Sequence, residues 1–277
     1  MGIVLGLVAA LLYGGSDFGG GLLSRRLGSL PVTIVGSAGA VLLVWPALLL
    51  APGPVPSVRA IAWGLAAGLG GGTGTLVLYR GLARGQMSVV GPVSAVGAAV
   101  LPVLVGVALG ERPGPVTIVG VVVALPAIAL VAASGTAARG MLRTALTDGL
   151  VAGVAFGILF VGLAQAGRSA GLWPVASEQT STLLIVLAVA VKSRAPLRMG
   201  IRAAGLPFLA GAAGMAATLA YFYATHYSML ATVAVIVSLY PGVTVLLARL
   251  ILHERFSSAQ RAGLGLCTLA IVAIALN

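Results

Sequence analysis

The chain is a succession of apolar runs, each about 20 residues long, parted by short breaks that carry Arg or Pro. A helix needs ~20 such residues to cross a ~30 Å hydrocarbon core. Within lipid, only helices and closed barrels satisfy their own backbone. Ten runs fit the helical length, at roughly 3–23, 30–50, 60–79, 88–109, 115–133, 146–166, 172–191, 204–225, 229–251 and 259–276. No break between them is long enough for a soluble domain. Composition agrees, with 60 % hydrophobic and 8 % charged residues, where a soluble domain carries about a quarter charged. The expected fold is therefore an all-α membrane protein of ten transmembrane helices.

Cys267 is the single cysteine, which excludes an intrachain disulfide and a multi-cysteine metal site. Its surroundings fit plain helix packing, and no metal or cofactor is expected. The net charge of +11 would suggest a nucleic-acid partner in a soluble chain. Here the arginines gather at span ends, where they report orientation, so no nucleic acid is expected. The first span reads as a helix rather than a cleaved leader, because nothing basic precedes it and it holds Asp17.

Shifted by 143 residues, the sequence matches itself without a gap. Gly6-Leu7-Val8-Ala9 falls on Gly149-Leu150-Val151-Ala152, Gly14 on Gly157, Gly19 on Gly162, Pro31 on Pro174 and Arg59 on Arg202. Gly68, Gly71, Thr75 and Leu76 meet Gly211, Gly214, Thr218 and Leu219, and Glu111-Arg112 meets Glu254-Arg255. A constant offset over the whole length marks an internal duplication. Each copy holds five spans, and five is odd, so the second copy enters the membrane from the other face. The expected organisation is a first five-helix repeat over 1–134, a linker over 135–144 and a second, inverted repeat over 145–277. Inverted repeats are the architecture of secondary transporters, with the substrate near the midplane where the halves meet.

Ten spans as five plus five, Tyr13-Gly14 in the first and Gly110-Glu111-Arg112-Pro113 ending the fourth resemble the drug/metabolite transporter superfamily, in its EamA-type branch. Tyr240-Pro241 in the ninth span and His253-Glu254-Arg255 after it are similar to the same pattern in the second half. The resemblance spans essentially the whole chain and implies a ten-helix transporter, not an enzyme, in the bacterial cytoplasmic membrane. It marks the fold well and the substrate poorly. Asp17 departs from the pattern, standing where such proteins often carry an uncharged polar residue.

The face of the N-terminus holds three basic residues, Arg59, Arg112 and Arg168, and the opposite face the other thirteen. The positive-inside rule then puts the basic face in the cytoplasm and both termini outside. The family resemblance implies the reverse.

GGSDFGGG, residues 14 to 21, sets a carboxylate deep in the first span. An ionised carboxylate near the bilayer centre costs ~2.5–3.5 kcal/mol on insertion scales, and such groups usually face a polar cavity and carry function. The flanking glycines permit close helix approach and local unwinding. Glu178 lies about six residues into the seventh span, with Ser181 and Thr182 sharing its face at i+3 and i+4. Asp17 and Glu178 are the candidate proton-binding groups. Polar stripes at Thr75 and Tyr79 and at Thr218, Tyr221 and Thr225, with Tyr13 and Ser16 beside Asp17, are the candidate substrate chamber. Pro92, Pro102 and Pro241 are candidate kinks for gating, as is Pro126.

The leading reading is a secondary transporter, working as a monomer, that exports a small amphipathic metabolite such as an amino acid by alternating access coupled to protons. Its partners are the lipid bilayer, the small-molecule substrate and protons. No Gly-x-x-x-x-Gly-Lys-Ser/Thr occurs, which argues against ATP drive within the chain. The rivals are an exporter of lipophilic cations, with Asp17 or Glu178 as counter-ion, and a lipid-linked sugar flippase. An intramembrane hydrolase using Ser16 and His226 is the reading from another class.

Overall fold

The structure is a computed structural model. It describes residues 1–50, 54–84, 87–112, 139–167, 170–194 and 199–252, and residues 114, 115, 118, 119, 122, 123, 258, 261–263, 265, 266, 268 and 269. Apolar runs become helices at α1 (Gly2–Leu27), α2 (Ser29–Leu50), α3 (Val58–Ala83) and α4 (Met87–Ala108), with prolines inside α2 and α4. The later ones are α5 (Arg139–Gln165), α6 (Trp173–Ser193), α7 (Gly205–Ala224), α8 (Leu230–Val237) and α9 (Tyr240–Leu252). Local chemistry sets their ends. Gly28 takes φ 85°, a left-handed conformation, and its N–H donates to the Ser24 carbonyl at 3.1 Å, which closes α1. Ser57 caps α3 by accepting from the Ala60 N–H at 3.1 Å.

Among the described residues, eight stretches are long and apolar enough to cross a membrane, α8 and part of α9 counting as one. The expected fifth and tenth spans, with Pro126 and Cys267, lie mostly outside the described residues. So do most of the expected linker and the His253-Glu254-Arg255 stretch.

The helices pack by their small residues. On α1 the buried positions include Gly6, Ala9, Ala10 and Gly14, while Leu7 and Leu11 point outward at 45 % and 60 % exposure. Lipid tails are as apolar as leucine, so large side chains gain nothing by turning inward, whereas small ones let backbones approach. Gly211 shows the limit: a Cβ there would run into the backbone carbonyl of Gly36.

These close contacts fix directions. Gly64 meets Pro174 and Gly72 meets Ile185, so α6 runs parallel to α3. Gly162 meets Trp63 while Asp148 meets Arg80, so α5 runs antiparallel to α3. Val93 packs on Gly149 and Leu101 on Gly157, so α4 and α5 run the same way. In consequence α4 ends at the face where the N-terminus lies, and α5 starts at the other. Ser16 reaches Ala210 and Gly2 reaches Ala224, so α7 runs antiparallel to α1.

One expectation is corrected here. Helix α1 stays continuous through residues 14–21; Gly14 packs against Val243 and Gly20 against the Tyr79 ring, and the glycines do not unwind it. The break falls in the expected ninth span, where Ser238 and Leu239 separate α8 from α9. Pro241 sits in the first turn of α9, where a missing N–H leaves no helix bond unmade. The break lies in the turn just before it, where a proline leaves a carbonyl unpaired, so the expected bend at Pro241 takes the form of an interruption between α8 and α9. Pro92 and Pro102 lie inside α4 without interrupting it.

Candidate functional site

Where α1, α2, α3, α5, α6, α7 and α9 meet they leave a cavity of about 90 Å³. A water takes roughly 10–15 Å³ on this measure, so the space holds on the order of six to nine. The wall reaches Val32 and Pro207, in the first turns of α2 and α7. Both helices start at the basic face, so the cavity extends from mid-membrane towards that face. On the other side Phe160 stacks on Tyr221 at 4.5 Å, and Trp45 meets Trp173 edge-on at 6.0 Å.

Both expected carboxylates lie on the wall. Asp17 is 8 % exposed, and its carboxylate makes no hydrogen bond or ion pair with any described residue. Tyr13, Tyr79 and Tyr240 all stand within its electrostatic reach. Glu178 is 2 % exposed. Its Oε1 lies 2.9 Å from the Thr182 hydroxyl, and its Oε2 has no hydrogen-bond partner. Thr182 Oγ1 also lies 3.1 Å from the Gly68 carbonyl. One hydroxyl proton thus faces two acceptors. A second proton, held by Glu178 and donated to Thr182, would complete the chain. Among the described residues no Lys, Arg or His lines the cavity. Two buried carboxylates with no cation beside them form an electrostatically incomplete site.

The remaining candidates divide. Tyr13, Ser16, Thr75, Tyr79, Thr182 and Thr218 are on the wall. Thr218 donates to the Gly214 carbonyl at 3.0 Å and accepts from the Tyr13 hydroxyl at 2.8 Å, which ties α7 to α1. Ser16 Oγ donates to the Ala210 carbonyl at 2.8 Å, and the Tyr79 hydroxyl donates to the Ser16 carbonyl at 3.3 Å. Three candidates leave the chamber. Ser181 turns to α3 and donates to the Leu65 carbonyl at 2.9 Å. Tyr221 stands behind Phe160, donating to its carbonyl at 2.8 Å. Thr225 lies past the end of α7 and donates to the Phe222 carbonyl at 2.7 Å. Of the described kink candidates, none is on the wall, although Tyr240, next to Pro241, is.

The hydrolase reading fails on geometry. Ser16 lies 14 residues into α1, ~21 Å from its start, while His226 follows the end of α7 at the face where α1 begins.

Several residues of the site were not singled out in the sequence. Thr33 and Ser37 present an i, i+4 polar pair on the cavity side of α2. Gln179 adjoins Glu178 on the wall. Asp148, on α5, sits outside the cavity near the basic face. It accepts from Arg80 at 2.6 Å and Arg84 at 3.2 Å. Its signal is the pair of arginines at i and i+4, but only the pairing of α3 with α5 brings the acid to them.

Residues 1–133 and 144–276 each match the EamA-like transporter family. No curated protein matches the chain. A solved structure described only as "Crystal structure of protein" is similar in fold, with a TM-score of 0.72 over 99 % of this chain and 97 % of its own. At 14 % identity that likeness speaks for the fold alone. The two matches cover almost the whole chain and agree with its many spanning helices, so the protein belongs to the EamA-like transporter family: it is a multi-pass integral membrane transporter and not an enzyme.

Proposed function

We propose that the chain is a secondary transporter that exports a small amphipathic metabolite across the bacterial cytoplasmic membrane by alternating access, coupled to protons held by Asp17 and Glu178. The observation that carries this reading is the central cavity with its two uncompensated carboxylates. A buried charge without a partner is expensive, and such groups in membrane helices mark ion and substrate pathways. The incomplete hydrogen-bond chain at Glu178 and Thr182 supports a proton there.

The machinery is two inverted five-helix repeats, 1–134 and 145–277, joined at 135–144. Paired contacts support the inversion. Gly6 packs on Ile236 and Gly149 on Val93, and adding 143 to one member of each pair gives the partner in the other. The counterparts α1 and α5 run in opposite directions, and α4 and α5 in the same one, as an odd number of spans per repeat requires. Symmetry of this kind gives two related conformations, each open to one face. In the conformation described, the lining reaches the basic face, while aromatic pairs pack the other side.

The test is uptake into proteoliposomes of purified protein, with radiolabelled amines and amino acids, with and without a pH gradient. Accumulation above the external concentration that collapses with the gradient and is absent from protein-free liposomes is expected. Movement only down the substrate's own gradient would refute proton coupling, and no movement of any compound would refute the transport mechanism.

A further inference from the structure

Resting on that reading, we infer that the cavity binds its substrate as a small organic ammonium ion. Asp17 and the tyrosines around it hold the cationic nitrogen, while Glu178 carries the exchanged proton. Charge comes first. A bound zwitterion such as an amino acid would place its own carboxylate beside Asp17, with no Lys, Arg or His among the described wall residues to receive it, and like charges in a low-dielectric site repel strongly. An ammonium ion supplies what the wall lacks. Asp17, without a hydrogen bond or ion pair to any described residue, offers an ionic bond.

The aromatic content of the wall points the same way. Tyr13, Tyr79, Tyr240, Phe156 and Phe160 all border the space. Ring faces attract cations, more strongly when water is excluded, and their edges accommodate the apolar body of an amine. Tyr13 meets Tyr240 edge-on at 6.4 Å and Phe160 at 6.2 Å, forming one side of such a cage. Size sets the last limit. Room for on the order of six to nine waters fits an amine of roughly a dozen heavy atoms or fewer, smaller than multi-ring dyes.

The two acids have different surroundings. Asp17 has tyrosines within reach and no hydrogen bond. Glu178 has Thr182 at 2.9 Å in a chain short of one proton. The first suits a cation that comes and goes, the second a proton. One proton moving against one ammonium ion is electroneutral, so a pH gradient alone can drive the exchange.

The test is binding to the purified protein in detergent at pH 7, followed by tryptophan fluorescence, with three probes that share a phenylethyl body. They are phenethylamine, phenethyl alcohol and phenylalanine. The amine is expected to bind at least tenfold more tightly than either of the others. Asp17→Asn should lose at least tenfold for the amine and leave the alcohol unchanged. Phenylalanine binding as tightly as the amine, or Asp17→Asn binding the amine as the parent does, overturns the inference. Should Asp17→Asn fail to purify as a folded species, the ranking of the three probes on the parent decides alone. Failure of transport itself looks different: the parent would bind the amine, yet proteoliposomes would take it up no faster than protein-free liposomes.

Discussion

Asp148→Asn removes the charge that fastens α3 to α5 near the basic face. The Asp148 side chain is only 4 % exposed, but those of Arg80 and Arg84 are 50 % and 47 % exposed. Breaking a fully buried pair costs ~3–5 kcal/mol because a charge is stranded out of water. Here the stranded charges are two guanidiniums that already reach solvent, and exposed pairs contribute only ~0.2–1 kcal/mol. The variant should therefore lose about 1–2 kcal/mol, between those limits, with about 1 kcal/mol of it as coupling to Arg80. The assay is thermal unfolding in detergent of the parent, Asp148→Asn, Arg80→Gln and the double variant. At ~2–4 °C per kcal/mol for a chain of this size, Asp148→Asn should melt roughly 2–8 °C earlier, and the double variant should fall short of the sum of the singles. Strict additivity would refute the pairing. A loss above ~3 kcal/mol would mean that the arginines are far more dehydrated than their exposure indicates.

Gly211→Val should lower the yield of monodisperse protein, by overpacking worth ~1–3 kcal/mol against the Gly36 carbonyl. Gly15→Ala, with nothing within 4 Å of its new Cβ, should match or exceed the parent; equal behaviour of the two would contradict the packing. In a Cys267→Ala background, cysteines at Thr33 and Thr75 should react with small polar thiol reagents and be protected by phenethylamine, since both line the cavity. A cysteine at Thr225 should gain no such protection, and protection there would return it to the chamber. The thirteen-to-three split of basic residues predicts that alkaline phosphatase fused after Asn277 is active and a fluorescent protein there is dark. The opposite pattern would restore the orientation implied by the family.

Much of this was legible in the residues because lipid simplifies the rules. An apolar run of ~20 residues can only be a helix, and a carboxylate inside one must find a polar environment. Asp17 and Glu178 therefore stood out before any fold was known, and the repeat at 143 residues was visible in the glycines that form the crossings. The chamber itself was only half legible. Helical spacing tells which residues share a face, not what that face meets or at what depth. Thr225 shares a face with Thr218 but lies seven residues, ~10 Å, further along, beyond the cavity. Ser181 shares a face with Glu178 and yet turns to Leu65. The glycines around Asp17 read as a place for unwinding, whereas they seat Val243 and the Tyr79 ring against an intact helix. Asp148 escaped notice because its meaning lies in Arg80 and Arg84, on a helix 68 and 64 residues earlier in the chain.

The most direct measurement of the central claim, that carboxylates in the cavity couple substrate to protons, uses proteoliposomes and labelled phenyltrimethylammonium, a permanent cation that a pH gradient cannot trap without a carrier. An interior more acidic by one unit stores about 1.4 kcal/mol per proton, so one-for-one exchange should concentrate the cation about tenfold inside. Glu178→Gln should still exchange labelled for unlabelled cation at equal concentrations, which shows that it is folded and binds. It should concentrate none when only the pH gradient is applied. Tenfold accumulation by Glu178→Gln, equal to the parent's, would contradict the account.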